Sequence, residues 1–571
     1  MESEQSQNFN ERLSEWVAGQ GFWFQLRYSL MGSGTKGRAM FHLLRMGMRV
    51  MAFLLVLGVG AGYYLVKRPR MASFYEGLQD SIKNGLSASE VEIRGIQHVQ
   101  GELGISGIAC KGEEKAFFSS MDARNFRCKM GFFDGIVGKW NPGTLFIARL
   151  EMELRAGADD EEGARALGES WFREFGGIDL KTIEVSDASV RWGYGRTVAP
   201  KTPQASGPGS SAGYEFEHTR GSITNSFLRI QRGDGQIRLS FKGGLFSQNW
   251  LERLEIVDLE VVATRDGFVF EKAEFKRLQG TVNFSGLKVT AGTRPLMDGT
   301  LRIRNLALAG IVPPPVRSVI EGNLSGDFQV SGSTNSSEGI VFDGRVTLGS
   351  QDVVSLRERI HLLKALSIID YARNYHRIDF REGSFHLKSY GGGLELTNIN
   401  LKSDDLTTLE GNMSVRLPSV EEVSSAVNQG TGMGGMPLFS GQNSDVGSIE
   451  SIDEAGFTLK HAADAINKGQ NQDGQIKADA SLFTRLEYNE NKRRVDALAS
   501  ERISRTLFYH GSLRLGLPPD VFERAPKLLA QFPVDITTGR VPLMVPIEGG
   551  LYDITLKQAE DIYQQGEQGR R

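Results

Sequence analysis

One stretch of the chain is free of charge over a length that suits a bilayer: Val50 to Val66 (VMAFLLVLGVGAGYYLV), preceded by Arg45 and Arg49 and followed by Lys67, Arg68 and Arg70. At 1.5 Å per residue its seventeen residues span roughly 25 Å, the short end of what a hydrocarbon core of about 30 Å requires. Met46 and Met48 lengthen it. A long tail precedes this run and bulky YYLVKRPR closes it, so the pattern predicts an uncleaved anchor rather than a signal peptide. A short helix is predicted over Met71–Lys83. From Glu90 the period of apolar positions changes to two. Segments such as VEIRGI, LGISGIAC, LFIARLEMEL, LEIVDLEVVA, LRIRNLALAG and LELTNINLKS alternate apolar with polar between Gly, Asp, Asn and Ser. Such strands predict an antiparallel sheet with one wet face and one buried face.

The alternation carries a recurrent flaw. Apolar, x, apolar, x is followed by Asp, Asn or Gly and then by apolar, x, apolar. It occurs at Ile183, Val185, Asp187, Ala188 and Val190, at Leu254, Ile256, Asp258, Leu259 and Val261, and at Leu301, Ile303, Asn305, Leu306 and Leu308. Leu394, Leu396, Asn398, Ile399 and Leu401 repeat it, as do the strands centred on Gly107 and Gly286. In a regular strand the second apolar pair would face the opposite side, because side chains alternate with a period of two. A β-bulge restores the phase, and Asp, Asn and Gly most readily take the left-handed conformation that some bulges need. The expectation is a strand that bends while keeping one apolar face. Repeated, the bends would curl the sheet into a trough or groove.

Helical interruptions are few. Asp159–Phe175 places Ala164, Leu167, Trp171 and Phe175 on one face, and Val353–Tyr375 is read as a helix aligning Leu356, Ile360 and Leu363. The second helix either covers one end of the sheet or occupies a groove as a removable plug. Asn491–Thr506 also reads as helical, Gly511–Leu517 as a strand, and Val541–Leu556 as the closing strand. Low-complexity stretches at Ala199–Gly213 and Ser419–Ser451 read as insertions or linkers. The expected organisation is a tail over 1–49, an anchor over 50–66, a β-body over 67–418, a flexible insertion over 419–451, and a helical and β segment over 452–571. The tail's aromatic residues, among them Trp16, Trp23 and Phe24, fit either an interfacial segment or a partly ordered tail.

Composition removes several functions without choosing one. Lys and Arg number 66 against 69 for Asp and Glu, a formal charge of -3, which speaks against a nucleic-acid partner. Cys110 and Cys128 are the only cysteines, too few for a disulfide framework or a Cys-based zinc site, leaving at most one bridge. The eight histidines show no HxH or HExxH spacing, and GxSxG is absent. GSGTKG at Gly32–Gly37 lacks the GxxxxGK[ST] spacing of a phosphate loop. The acidic run Asp159–Glu162 is what a helix start attracts, and His376 and His386 read as solvated positions flanking a strand. No enzyme, cofactor or metal is expected from these residues.

The layout resembles the AsmA-like family of bacterial envelope proteins, relatives of TamB and of the bridge-like lipid-transfer proteins. The resemblance is carried by the anchor, the short helix, VEIRGIQHVQGELGISGI, and above all LSGDFQVSGS followed at Arg377–Pro418 by RIDFREGSFHLKSYGGGLELTNINLKSDDLTTLEGNMSVRLP. It covers Met71–Pro418 and, more weakly, Gly511–Leu556. The chain departs from the family in its longer tail, in the absence of a TGR-like turn after the first helix, and in the Ser419 insertion. The resemblance implies a trough-shaped β-sheet anchored in the bacterial inner membrane, with the tail cytoplasmic and the body periplasmic, that conveys or organises phospholipid. Positive charge flanking the anchor is nearly balanced, so the orientation rests mainly on the resemblance. Ile183, Val185, Leu254, Ile256, Leu301, Ile303, Leu306, Leu308, Leu394, Leu396, Ile399 and Leu401 are then the expected groove lining. Membrane phospholipid and envelope proteins are the expected partners. A scaffold that holds envelope proteins by its sheet edges is the alternative.

Overall fold

The computed structural model describes residues 9–31, 35–67, 72–130, 140–198, 214–310, 320–416, 480–490, 508–549 and 559–564, apart from short breaks within these ranges. The readings made for 199–213, 419–451 and 491–506 lie outside the described residues, as does the end of the closing strand. Two units are present, Met1–Tyr75 and Glu76–Arg571.

The first unit is helical. Helix α1 covers Phe22–Met31 and α2 covers Thr35–Lys67. Within α2, Met46–Tyr64 is long and apolar enough to cross a membrane, and none of it is buried by protein. Apolar side chains exposed all round are what a lipid-facing helix presents. The helix runs well past the seventeen apolar residues, because Thr35–Arg49 contains no proline to stop it.

Helix α3, Ala72–Leu86, leads into the second unit, where Leu78 and Ile82 are buried. Among the described residues the unit is built on one sheet of 21 strands. These are β1 Ala88–Val99, β2 Glu102–Gly112, β3 Phe118–Lys129, β4 Thr144–Arg155, β5 Thr182–Val198, β6 Tyr214–Gly233 and β7 Gln236–Lys242. They continue with β8 Leu245–Gln248, β9 Leu251–Thr264, β10 Gly267–Arg277, β11 Gly280–Thr290, β12 Leu296–Ala307, β13 Ile320–Ser333 and β14 Ile340–Thr347. The last are β15 Val353–Arg357, β16 Arg377–Phe380, β17 Glu382–Tyr390, β18 Gly393–Ser403, β19 Thr407–Arg416, β20 Phe508–Leu517 and β21 Val541–Gly549.

Neighbours in the sheet follow chain order almost throughout. Strands β7 and β8 share one place, each pairing with β6 and with β9. The two halves of β13 pair with β14 and β15, which continue to β17 and β16 respectively. Strands β17 to β21 complete the sheet, so β20 and β21 belong to the same layer as the strands before the insertion. Every registered pair is antiparallel except β4 with β5, which run parallel. The exception has a simple cause: helix α4, Glu161–Trp171, carries the chain back to the starting end, as a parallel crossover requires. Asp160 caps α4, its carboxylate accepting from Gly163 N at 2.6 Å, with Glu161 and Glu162 in the first turn.

The flaw in the alternation behaves as expected and then goes further. Val185, Ala188 and Val190 on β5, and Leu301, Ile303 and Leu306 on β12, are all buried despite their spacing of three. Asn305, Asn398 and Gly286 have φ of 51°, 52° and 64°, and each accompanies a register shift. Gly107, Asp187 and Asp258 keep ordinary φ. At the level of the flaw β1 to β5 keep register with one another, because all five strands change phase together; the shifts in these pairings, at Ala88/Glu90 and Phe118/Ser120, lie near the strand ends. Gly95, Ser106, Asn125, Ala148 and Ser186 are skipped in successive pairings. Gly95 and Asn125 supply left-handed backbone on alternate strands, with φ of 62° and 56°. Five strands thus share one transverse crease.

The reading of Val353–Tyr375 as one helix is corrected. Val353–Arg357 is strand β15, bonded on both sides to β13 and β16, and only His361–Ile369 forms a helix, α5. Leu356 is therefore a strand residue, Ile360 is the helix N-cap, and Leu363 lies buried within α5. Two available strand edges and the β-branched Val353 and Val354 outweigh the chance helical spacing of Leu356, Ile360 and Leu363.

The last strand has a guarded edge. Pro542 stands opposite Gly516 and Pro546 opposite Ser512. Lacking an N–H, each fits only where its nitrogen points away from β20, so the outer edge of β21 lacks donors at two positions.

Candidate functional site

The outer face of the sheet carries charge pairs laid across neighbouring strands. Lys272 on β10 lies 3.1 Å from Asp258 and 3.0 Å from Glu260 on β9, and Arg304 on β12 lies 3.0 Å from Asp327 on β13. His386, expected at a strand end, lies inside β17 and 2.5 Å from Asp343 on β14. Exposed pairs of this kind contribute about 0–1 kcal/mol each. They mark the face that meets water more than they hold the sheet.

The inner face is apolar. Of the expected lining residues, Val185, Leu254, Ile256, Leu301, Ile303, Leu306, Leu308, Ile399 and Leu401 are buried, while Ile183, Leu394 and Leu396 are half-buried. Aromatic rings fill part of this face: Phe246, on β8, stacks 4.6 Å from Phe275, which meets Phe284 edge-on at 5.9 Å. Helix α4 closes one end of the packing. Trp171 lies 4.3 Å from Phe117 and 5.6 Å from Phe268, and the Phe117 N–H donates to Ser170 Oγ at 2.9 Å. Residues beside β3 and on β10, far apart in strand order, thereby meet at one helix.

Over β18 to β20 the cover thins. Leu394 stands opposite Val415, which stands opposite Tyr509, and Leu396 stands opposite Met413. Leu394, Leu396, Met413, Val415 and Leu513 are all half-buried, in contrast to the fully buried Leu254 and Ile303. Ile360 at the start of α5 and Ile320 on β13 pack against this patch around Tyr509 and Ile547. Met413, Val415 and Leu513 were not among the expected lining residues, although the alternation in GNMSVRLP and GSLRLGL places them on the same face as Leu394 and Leu396. Beyond α5, the Asp370 carboxylate accepts from Tyr375 Oη at 3.1 Å and from Arg373 at 3.0 Å, and Arg373 also reaches Asp520 at 2.6 Å. The chain between β20 and β21 is thereby tied to the end of α5. Burial first, then the Asp370 carboxylate, pushes the Tyr375 hydroxyl well above its ordinary pKa.

A helix over residues 482–490, here α6, lies on the charged face of the first strands. Arg485 pairs with Glu90 at 2.5 Å, the Leu482 N–H donates to Glu92 at 2.8 Å, and Arg191 pairs with Glu490 at 2.5 Å. Arg94 stacks 4.1 Å over the Phe483 ring, and a Cβ at Gly107 would come within 3.0 Å of that ring. No sequence pattern linked this short segment to strands nearly four hundred residues earlier.

Cys110 and Cys128 are both free and buried. They sit on adjacent strands but not opposite one another, since Cys110 faces Met121 and Cys128 faces Leu103. Among the described residues no group of three or more His, Cys, Asp or Glu side chains could hold a metal. A cavity of about 360 Å³ lies at the ends of β10 to β13, lined by Leu278, Gln279, Asn305, Ala307 and Asn323. No protein-family model, curated protein or solved structure matches the chain.

Proposed function

We propose that this is a membrane-anchored protein that binds phospholipid through the inner, apolar face of its sheet and conveys it or supplies it to envelope assembly. The observation that carries the reading is the half-covered patch of Leu394, Leu396, Met413, Val415 and Leu513, continuous with a face that is mostly buried elsewhere. Each methylene moved from water onto such a surface is worth about 0.8 kcal/mol, so an acyl chain is an adequate cover for it. Ile360 and the start of α5 are the part of the protein that a chain would displace first. The apolar span of α2 supports attachment to a membrane, and the AsmA-like layout of the sequence supports the bacterial inner membrane with the sheet in the periplasm.

The test is photo-crosslinking in cells with a benzoylphenylalanine placed at Leu396 or Met413. Lipid adducts at both positions, and none from a probe at the outer residue Arg302, are the expected result. A probe at Leu396 and Met413 that yields no lipid adduct removes this reading. The alternative, a scaffold acting by its sheet edges, is disfavoured at one edge by Pro542 and Pro546, which leave β21 poorly equipped to receive another strand.

A further inference from the structure

One rim of the inner face is sealed, and the seal joins strands that lie far apart in the sheet. Thr334, just past the end of β13 and buried, donates its hydroxyl to Ala156 O, just past the end of β4. The Ala156 N–H donates in turn to Gly193 O on β5 at 3.2 Å, which ties the contact into the first strands. Beside it stands Trp171 of α4, between Phe117 at the head of β3 and Phe268 at the head of β10. Arg232 at the end of β6 donates to Trp171 O at 3.3 Å and to Arg173 O at 2.6 Å, and its guanidinium lies 5.4 Å over the Phe175 ring. Phe175 itself lies against Gly85 of α3, where a Cβ would come within 2.5 Å of the ring.

Parting this rim would strip hydrogen bonds from Thr334 and Arg232 and bare three aromatic rings to water, so both terms oppose it. Behind the rim the inner face is core: Leu103, Leu254, Leu301 and Ile303 are all but fully buried. The patch on β18 to β20 is covered differently. Ile320 and Ile360 pack against it, and Ile360 stands at the start of a helix that has no side-chain cap. A helix start with orphan N–H groups and few packed neighbours is the easier of the two covers to lift. We infer that lipid enters, rests and leaves at the β18–β20 patch alone, and is not threaded along the inner face from β1 towards β21. The protein is then a carrier that loads at one place, and whatever gives or takes the lipid must meet it at this patch. The inference rests on the reading that the patch binds phospholipid and adds to it the route.

The test places benzoylphenylalanine in the full chain in cells at Phe268 and at Phe284, behind the seal, beside the probes at Leu396 and Met413. Both new positions are aromatic and half-buried, so one ring replaces another, and each ring meets a neighbour edge-on, Phe268 with Trp171 and Phe284 with Phe275. Lipid adducts are expected at Leu396 and Met413 and not at Phe268 or Phe284. The Phe268 probe is expected to cross-link within the chain to the peptide that carries Trp171, which verifies that it fires in a folded protein. Lipid adducts at Phe268 or Phe284 together with those at Leu396 overturn the proposal and leave the lipid-binding reading standing. Silence at Leu396 and Met413 removes that reading, and the single loading site falls with it.

Discussion

The Asn305 backbone, held at φ 51°, donates its N–H to Ser325 Oγ on the neighbouring strand at 2.9 Å, and the Ser325 hydroxyl in turn donates a hydrogen bond to the buried Asp352 carboxylate at 3.0 Å. A bulge leaves one strand residue without a ladder partner, and here a side chain supplies the missing acceptor. The device recurs. Asn398 N–H donates to Asn412 Oδ1 at 2.8 Å, and Arg253 N–H, at φ 57°, donates to Ser247 Oγ at 2.9 Å. The bulges at Asn305 and Asn398 are therefore specified twice, by a residue that tolerates left-handed backbone and by a polar side chain one strand away.

Asn305→Val is expected to destabilise the sheet by about 1–2 kcal/mol, while Asn305→Gly is close to neutral, because only the β-branched side chain opposes the left-handed conformation. Ser325→Ala removes the acceptor and is expected to cost about 1–3 kcal/mol. Denaturant midpoints of the three variants check the order.

The dry and half-covered parts of the inner face separate stability from binding. Ile303→Ala, at a fully buried position, is expected to cost about 2–5 kcal/mol. Met413→Ala, at a half-buried one, is expected to cost less and to reduce lipid adducts at Leu396. A Met413 variant that unfolds as readily as the Ile303 variant contradicts the assignment.

Helix α6 is held by ion pairs on the wet face, so its attachment is expected to weaken with salt. Arg485→Glu places a carboxylate beside Glu90 and should raise hydrogen exchange over 482–490, and the double exchange Glu90→Arg with Arg485→Glu should restore protection. Equal exchange in all three proteins rules out the electrostatic attachment.

Burial pushes the thiol pKa of both Cys110 and Cys128 up to about 12. Near neutral pH both are therefore thiols rather than thiolates, and thiol reagents are expected to label them only when the sheet unfolds. Intact mass without reductant should show two free cysteines; a mass lower by two hydrogen atoms would indicate a bridge.

Hydrogen bonds from Thr537 and then Arg514 hold the Asp535 carboxyl below the ordinary carboxylate range. A depressed carboxylate contributes stability above its unfolded pKa of about 3.9 and loses it as pH falls through the folded value. Protection of the Thr537 amide should therefore persist as pH is lowered through about 4 and disappear only below it. Loss of protection already near pH 5 would contradict this.

Much of the architecture was legible in the chain, because a period of two and a length of apolar helix are local properties. Leu301, Ile303, Asn305 and Leu306 state their own bulge, and Val50–Val66 states its own helix, long and apolar enough to cross a membrane. What was not legible depends on partners distant in sequence. Val353–Arg357 becomes a strand only because β13 and β16 offer it two edges, and the parallel β4–β5 pairing follows from the path of α4. Glu90 and Arg485 carry no mark that they meet. The half-covered patch was visible in part: Leu394 and Leu396 were expected on the inner face, but how far it is covered depends on Ile360 at the start of α5 and Ile320 on β13.

The prolines of β21 have a consequence for self-association. With two donors missing, that edge is a poor template for a strand from another copy of the chain. Contacts between copies are then expected to use other surfaces, and the state of association to be insensitive to changes along β21.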